Sequence, residues 1–293
     1  MDSTTIYSHV HDRYSATARS DAAENHVKNV AQAFGYSAEE LASIPSDSNL
    51  GLSCGNPLAL ASLREGETVV DLGCGAGFDV FLAAKKLGAD GKAIGIDMNE
   101  DMLAKARSNA TRTQTHNVSF IKSRITSIDL PDNSADVVIS NCVINLVPDD
   151  EKHLVFNEMN RMLKPGGRVA VSDILTKKPL PEDMKQNVAL YVGCIAGASS
   201  KEEYEKWLKQ AGFDDVAIVD AGSDLNVYTS NEINTGCCSG VEEKAPVESA
   251  KQSCCAGKQV QDGGVAADMS RDLSNLDLNE WAGSYKIFAV KKS

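Results

Sequence analysis

The stretch VVDLGCGAGFD, residues 69–79, constrains the fold more than any other part of the chain. A short apolar run leads straight into glycines at 73, 75 and 77. That order reads as a buried strand ending in a turn whose backbone can approach a ligand closely. FDVFLAAKKLG (78–88) then reads as a helix closed by Gly88. KAIGID (92–97) is a second strand ending on Asp97, where an acid can accept hydrogen bonds from ribose hydroxyls. A second helix covers 99–110, and 118–123, 135–140 and 168–175 are further buried strands. The helix over 149–163 stops at KPGG. Strands alternating with helices predict an α/β chain with a doubly wound parallel sheet.

This pattern sits inside a longer chain. Residues 1–64 read as a helical cap segment carrying Cys54, 65–176 as the cofactor-binding domain, and 177–293 as a C-terminal substrate-binding region. In the last region, 182–192 and 200–211 read as helices, and 214–222 and 284–292 as strands. Between those strands, residues 229–275 are rich in Ser, Gly, Glu, Lys and Asp and have no regular pattern. A closing strand makes this segment an internal loop, and loops of such length are usually functional or disordered. It carries two adjacent cysteine pairs, Cys237–Cys238 and Cys254–Cys255.

The net charge of −12 argues against nucleic acid and anionic membranes as partners. A neutral substrate or a cationic cofactor suits it better. The chain starts without a signal-type apolar run and has no stretch of about 18 apolar residues. We expect a soluble, cytoplasmic monomer. Thiols stay reduced in that compartment, so the eight cysteines are expected to be ligands or redox groups rather than a disulfide framework. The five histidines are scattered and expected to be solvated, and Trp207 and Trp281 to pack.

The Gly-rich segment resembles class I S-adenosylmethionine methyltransferases, whose loop is typically [DE]-x-G-x-G-x-G; here Asp71, Gly73, Gly75 and Gly77 match it. The resemblance runs over about 65–175. It implies a Rossmann-like fold and a bound S-adenosylmethionine. Asp71, Gly73, Cys74, Gly75 and Gly77 would lie near its methionine part, and Asp97, with Met98 beside it, at the ribose. Ile125 and Thr126, in SRITSIDLP, would face the adenine, and Asn141, in SNCVINLV, would line the methyl-transfer pocket. An NAD-linked domain is the competing interpretation, but Phe78 stands where the dinucleotide fingerprint has its third glycine.

NLGLSCGNPLA, ISNCVINLVPD, YVGCIAGA, the late Cys-Cys pairs and the closing EWAGSYKIFAVK look like arsenite methyltransferases. That resemblance implies trivalent arsenic held by cysteines that cycle through disulfides. Cys194 would be an arsenic ligand, and Cys54 and Cys74 members of the thiol relay. The family has a single late cysteine where this chain has pairs, so Cys237 or Cys238 is expected to complete the arsenic site, with Cys254 and Cys255 as further candidates. Cys142, at a strand end, reads as a small buried hydrophobe. An external reductant of glutathione or thioredoxin type would reopen the disulfide. The chemistry stands by itself: arsenic(III) is soft and prefers thiolate ligands. Tyr7 and Tyr14 lie in a segment that often closes over the cofactor in such enzymes. Two other functions fit less of the chain. One is a C- or O-methyltransferase of a lipid or quinone, which leaves the cysteines idle. The other is a non-catalytic thiol-rich arsenic- or metal-binding protein. For the loop itself, an inert insert is the plain alternative, and zinc is a poor match because its sites favour C-x₂₋₄-C spacing.

Overall fold

The computed structural model describes residues 2–20, 24–185, 187, 190, 191, 193–228 and 277–293, and the elements below belong to the unit formed by residues 1–227 and 277–293. The loop expected over 229–275, with Cys237, Cys238, Cys254 and Cys255, lies outside the described residues.

The strands are β1 (Thr68–Leu72), β2 (Lys92–Asp97), β3 (Val118–Lys122), β4 (Ala135–Asn141), β5 (Leu163–Thr176), β6 (Phe213–Asp220) and β7 (Ala282–Lys291). They form one sheet in the order β3-β2-β1-β4-β5-β7-β6. The first five strands in that order pair in parallel. The chain reverses at the centre of the sheet between β1 and β4, and the carboxyl ends of the strands open a crevice there.

The expected doubly wound parallel sheet is present in these first five strands, and two further strands make the whole sheet mixed. β7 inserts antiparallel between β5 and β6, in register from Arg168↔Val290 to Thr176↔Ala282. An antiparallel neighbour needs no helical crossover, so the chain can return to the sheet from any loop. β5 also starts earlier than its apolar core suggests. Leu163 already pairs with Ala135, and a register shift absorbs the KPGG turn within the strand.

The helices are α1 (Ser3–Arg19), α2 (Glu24–Ala33), α3 (Ala38–Ala42), α4 (Leu58–Ala61), α5 (Phe78–Leu87), α6 (Glu100–Thr113), α7 (Lys152–Met162), α8 (Glu182–Lys185) and α9 (Lys201–Gln210). On one face of the sheet, α5 packs with Leu103 of α6, and Ala31, Tyr36, Leu58 and Ala61 cover it from outside. That cover explains why α5 is buried nearly all round, Asp79 included. On the other face, Phe156 and Met159 of α7 meet Tyr204 and Leu208 of α9. Trp207 stacks on Phe156 with centroids 5.7 Å apart. Capping boxes at Ser37/Glu40 and Ser200/Glu203 start α3 and α9.

Helix α1 is tied to the loops at the carboxyl ends of the strands. Asn99 Nδ2 donates to His11 O at 3.0 Å and Ser15 Oγ at 2.9 Å. The Tyr7 hydroxyl donates to Glu151 Oε2 at 2.7 Å, and the Arg124 guanidinium lies over the Tyr7 ring. No helix among the described residues is long and apolar enough to cross a membrane.

Candidate active site

The turn after β1 is built from main chain. The Gly73 and Cys74 amides donate to Ile96 O of β2 at 2.7 and 2.9 Å. Gly73 has φ +71, and a Cβ there would lie 2.3 Å from Val143 Cγ2. No larger residue fits without displacing the Val143 side chain, just beyond β4. Gly75 donates its amide to Asp97 Oδ2 at 2.9 Å, and Asn99 donates its own to Asp97 Oδ1 at 2.8 Å. Each Asp97 oxygen keeps acceptor capacity for a ligand hydroxyl. Burial pushes the Asp97 carboxyl above its usual range, while the amides of Asn99, Gly75 and Met98 pull it back.

These groups open onto a cavity at the strand ends. Asp71, Gly73, Cys74, Gly75, Met98 and Ile125 line it, together with Asp97. Tyr7, Val10 and Tyr14 of α1 also line it. Gly77 is not in the lining; its φ of +90 starts α5, and a Cβ would lie 2.8 Å from Phe81 Cε2. Thr126 reaches the site through its hydrogen bond with Tyr7. The residues fit S-adenosylmethionine: a glycine turn without side chains, an acceptor carboxylate beside it, and an acidic wall for a cationic ligand.

Behind that wall lies a buried network that the sequence reading missed. The Tyr36 hydroxyl donates to Asp79 Oδ1 at 2.6 Å, and Asn141 Nδ2 donates to Asp79 Oδ2 at 3.0 Å. Burial pushes Asp79 up to about 6, against the pull of those two donors. Asp71 is raised too, by burial and then by the charges of Asp79 and Asp97. The signal was an acid inside the apolar run FDVFLAA, since a charge there must find partners in the core.

Three cysteines from distant segments meet at the other end. The sulfurs of Cys54, Cys142 and Cys194 all lie within 4.8 Å of one another, and all three residues are buried. Cys54 and Cys142 form a disulfide, with Cα atoms 5.7 Å apart. One such pair is not a disulfide framework, and Cys142 is buried as expected. What the sequence did not show is its pairing, because only the fold brings its strand end against the loop holding Cys54. The Cys194 thiol donates to Cys142 O at 2.8 Å. Cys142 and Cys194 have φ of +60 and +67, a conformation that side chains rarely adopt and that clusters at functional sites.

The turn holding Cys194 rests on a buried lysine. Lys152 Nζ donates to Gly197 O and to Ser199 Oγ, and pairs with Asp149. A Cβ at Gly197 would lie 2.1 Å from Asn145 O, so the turn sits directly on the segment after β4. Burial holds the Cys194 thiol far above its ordinary range, and Asp173 adds to the shift. A hydrogen bond with Tyr14 and the charge of Lys152 oppose it.

Cys74 is not part of the sulfur group. A Cβ added to Gly95 would meet Cys74 Sγ at 2.6 Å, so this thiol is packed against β2, and burial pushes it well up. Cys237 and Cys238, the expected partners of Cys194, and Cys254 and Cys255 lie outside the described residues. Among the described residues, the sulfurs beside Cys194 are those of Cys54 and Cys142.

Residues 63–212 match the family described as a methyltransferase domain. An arsenite methyltransferase of Halobacterium salinarum is 47% identical over 184 residues, 63% of this chain and 46% of that protein. The chain thus spans about half the length of this curated relative. A demethylmenaquinone methyltransferase of Listeria monocytogenes is 32% identical over 53% of this chain and 65% of its own length. Among solved structures, an arsenic(III) S-adenosylmethionine methyltransferase from Chlamydomonas reinhardtii superposes with a TM-score of 0.56 and 27% identity, over 92% of this chain and 73% of the other. With the glycine turn, the strand-end acid and the five parallel strands in place, the chain belongs to the methyltransferase domain family and has the class I S-adenosylmethionine methyltransferase fold.

Proposed function

We propose that the protein transfers the methyl group of S-adenosylmethionine to trivalent arsenic held by Cys54, Cys142 and Cys194. The observation that carries this reading is the meeting of three buried sulfurs beside the cavity that the glycine turn and Asp97 line. The names of the Halobacterium and Chlamydomonas relatives support it.

S-adenosylmethionine, when bound, supplies an electrophilic methyl on a sulfonium. The chain holds it with the backbone of Gly73–Gly75, with Asp97 at the ribose and with Ile125 beside the base. Asp71 gives the sulfonium end an acidic surrounding. Arsenite enters as its neutral trihydroxide, so the chain's net negative charge does not oppose entry. Each protonated thiol that replaces a hydroxide releases one water, which suits a site where burial keeps Cys194 protonated. Three sulfurs around arsenic leave its lone pair as the nucleophile. The thiols position the arsenic and exclude water.

Donation of that lone pair leaves arsenic formally pentavalent. The two As–S bonds to Cys54 and Cys142 then break as those sulfurs join in a disulfide, which returns two electrons to arsenic. Water takes the vacated place and gives up a proton, leaving methylated trivalent arsenic on Cys194. An external dithiol then reduces the pair through exchange. In this reading the described disulfide is the oxidised half of the cycle, and Cys74 takes no part in it.

The test is incubation with arsenite, S-adenosylmethionine and a dithiol, with arsenic speciation by mass spectrometry. Methylated arsenicals from wild-type protein and none from Cys142→Ser are expected. The Listeria relative motivates the other reading, methylation of a quinone carbon, which requires no cysteine. Turnover of demethylmenaquinone by a chain lacking Cys54, Cys142 and Cys194, with none of arsenite by wild type, would replace the arsenic reading.

A further inference from the structure

Cys54 lies in a loop with no regular structure of its own, between the short 3₁₀ turn at 46–48 and α4. Local chain geometry therefore cannot hold its sulfur beside Cys142. Two side chains do so from outside. Asn141 Oδ1 accepts the Cys54 amide at 3.1 Å, and Asn141 Nδ2 donates to Gly55 O at 2.9 Å. From the other side, the Ser284 hydroxyl donates to Cys54 O at 2.6 Å. Gly55 is pressed against β5, since a Cβ there would lie 2.7 Å from Ser172 Cβ.

Asn141 is the last residue of β4 and the direct neighbour of Cys142. Cys142 is itself tied to the sheet, its amide donating to Ser172 O at 2.9 Å. One carboxamide, fixed to the chain beside one cysteine, thus grips the main chain on both sides of the other cysteine's Cα. The amide is itself oriented from behind. Its nitrogen also reaches Asp79 Oδ2 at 3.0 Å and the Tyr36 oxygen at 2.9 Å. With two hydrogens and three acceptors, that nitrogen has nothing left for a ligand. Asn141 lines the cavity as well, and these bonds give it a second role beside the expected one at the methyl-transfer pocket.

We propose that Asn141 is a positioning residue for the Cys54–Cys142 pair, setting how readily the two thiols close into a disulfide. The proposal rests on the reading that this pair cycles during turnover. Closing the pair converts two thiols into one disulfide, with two electrons and two protons passing to the acceptor; an oxidised dithiol serves as that acceptor in the test below. A loop already held within bonding range loses little further freedom on closing. Without the carboxamide, the Cys54 amide and the Gly55 carbonyl lose their tie to β4, and the dithiol form gains freedom that closing must remove.

The experiment uses the full chain without arsenic or cofactor, equilibrated in buffers of reduced and oxidised dithiothreitol. The redox state of Cys54 and Cys142 is read by differential alkylation and peptide mass spectrometry. Asn141→Ala is expected to lower the equilibrium constant for closure about tenfold, some 30 mV for a two-electron couple. Asn141→Ser, too short to span Cys54 and Gly55, serves where the alanine variant does not fold and should shift it the same way. Ser284→Ala should move it in the same direction by less. A purely structural role would lower the melting temperature and leave this equilibrium alone. A folded Asn141 variant within twofold of wild type overturns the proposal. A wild-type chain that cycles its disulfide but never methylates arsenite would remove the functional reading alone.

Discussion

The two ends of the cavity are made by different means. The glycine end comes from one continuous stretch, 71–99, and binds through main chain: the Gly75 amide, the Gly73 turn, and a carboxylate fixed by two amides. The sulfur end comes from four stretches far apart in sequence, around 54, 142, 194 and 284, and depends on side chains. A turn encoded by neighbouring residues tolerates wide variation elsewhere in the chain. A site assembled from distant side chains requires the whole sheet first, including β7. The difference predicts that the two ends fail independently.

The largest separation is expected at Cys194. Cys194→Ser should cut arsenite methylation by more than about a hundredfold, since misplacing a reacting atom by about an ångström costs that much. S-adenosylmethionine affinity, measured by calorimetry, should stay unchanged. Parallel loss of both would join the two ends into one cooperative unit and break the comparison.

The same contrast explains what could be read from the sequence. Strand, turn, helix and acid follow one another in 69–97, so β1, α5, β2 and Asp97 were legible from spacing alone. The place of β7 was not, because pairing across the sheet leaves no mark in local periodicity. For the same reason the sequence named Cys54 and Cys194 separately and read Cys142 as core. Its position on an apolar strand end is what a buried hydrophobe also shows, and only the fold brings Cys54 against it. The resemblance of SNCVINLV put Asn141 at the methyl-transfer pocket, but its bonds to Cys54 and Gly55 run between distant segments and left no mark in the sequence.

A second test acts at the glycine end. Asp97→Ala removes a carboxylate that ties Gly75 and Asn99 together and that we assign to the ribose. Loss of a charge-assisted hydrogen bond costs roughly 1.5–3 kcal/mol, about ten- to a hundredfold in affinity. Cofactor binding by calorimetry should weaken accordingly, while the Cys54–Cys142 equilibrium in dithiothreitol buffers stays at its wild-type value. A shifted equilibrium would show that the turn and the thiols share a strut.

The smallest effect concerns how each end keeps a buried carboxyl. Asp97 is met mainly by backbone amides, whereas Asp173, behind Cys194, is met by Asn145 Nδ2 at 2.8 Å, the Tyr204 hydroxyl at 2.9 Å and the Ile174 amide at 2.9 Å. These donors do not offset burial, which pushes Asp173 up to about 7. In the unfolded chain an aspartate titrates near about 3.9. Below both values the group is protonated in either state, and its contribution is fully present. Between about pH 4 and 7 the folded chain keeps a proton that the unfolded chain has released, so stability falls as pH rises. The slope from this one group reaches about 1.4 kcal/mol per pH unit and vanishes above its folded value. Asn cannot titrate, so Asp173→Asn should flatten the wild-type curve by that amount between pH 4.5 and 6.5. Urea unfolding of both chains with the disulfide intact measures it. Parallel curves would mean that Asp173 stays ionised in the folded protein across this range, its donors offsetting burial after all.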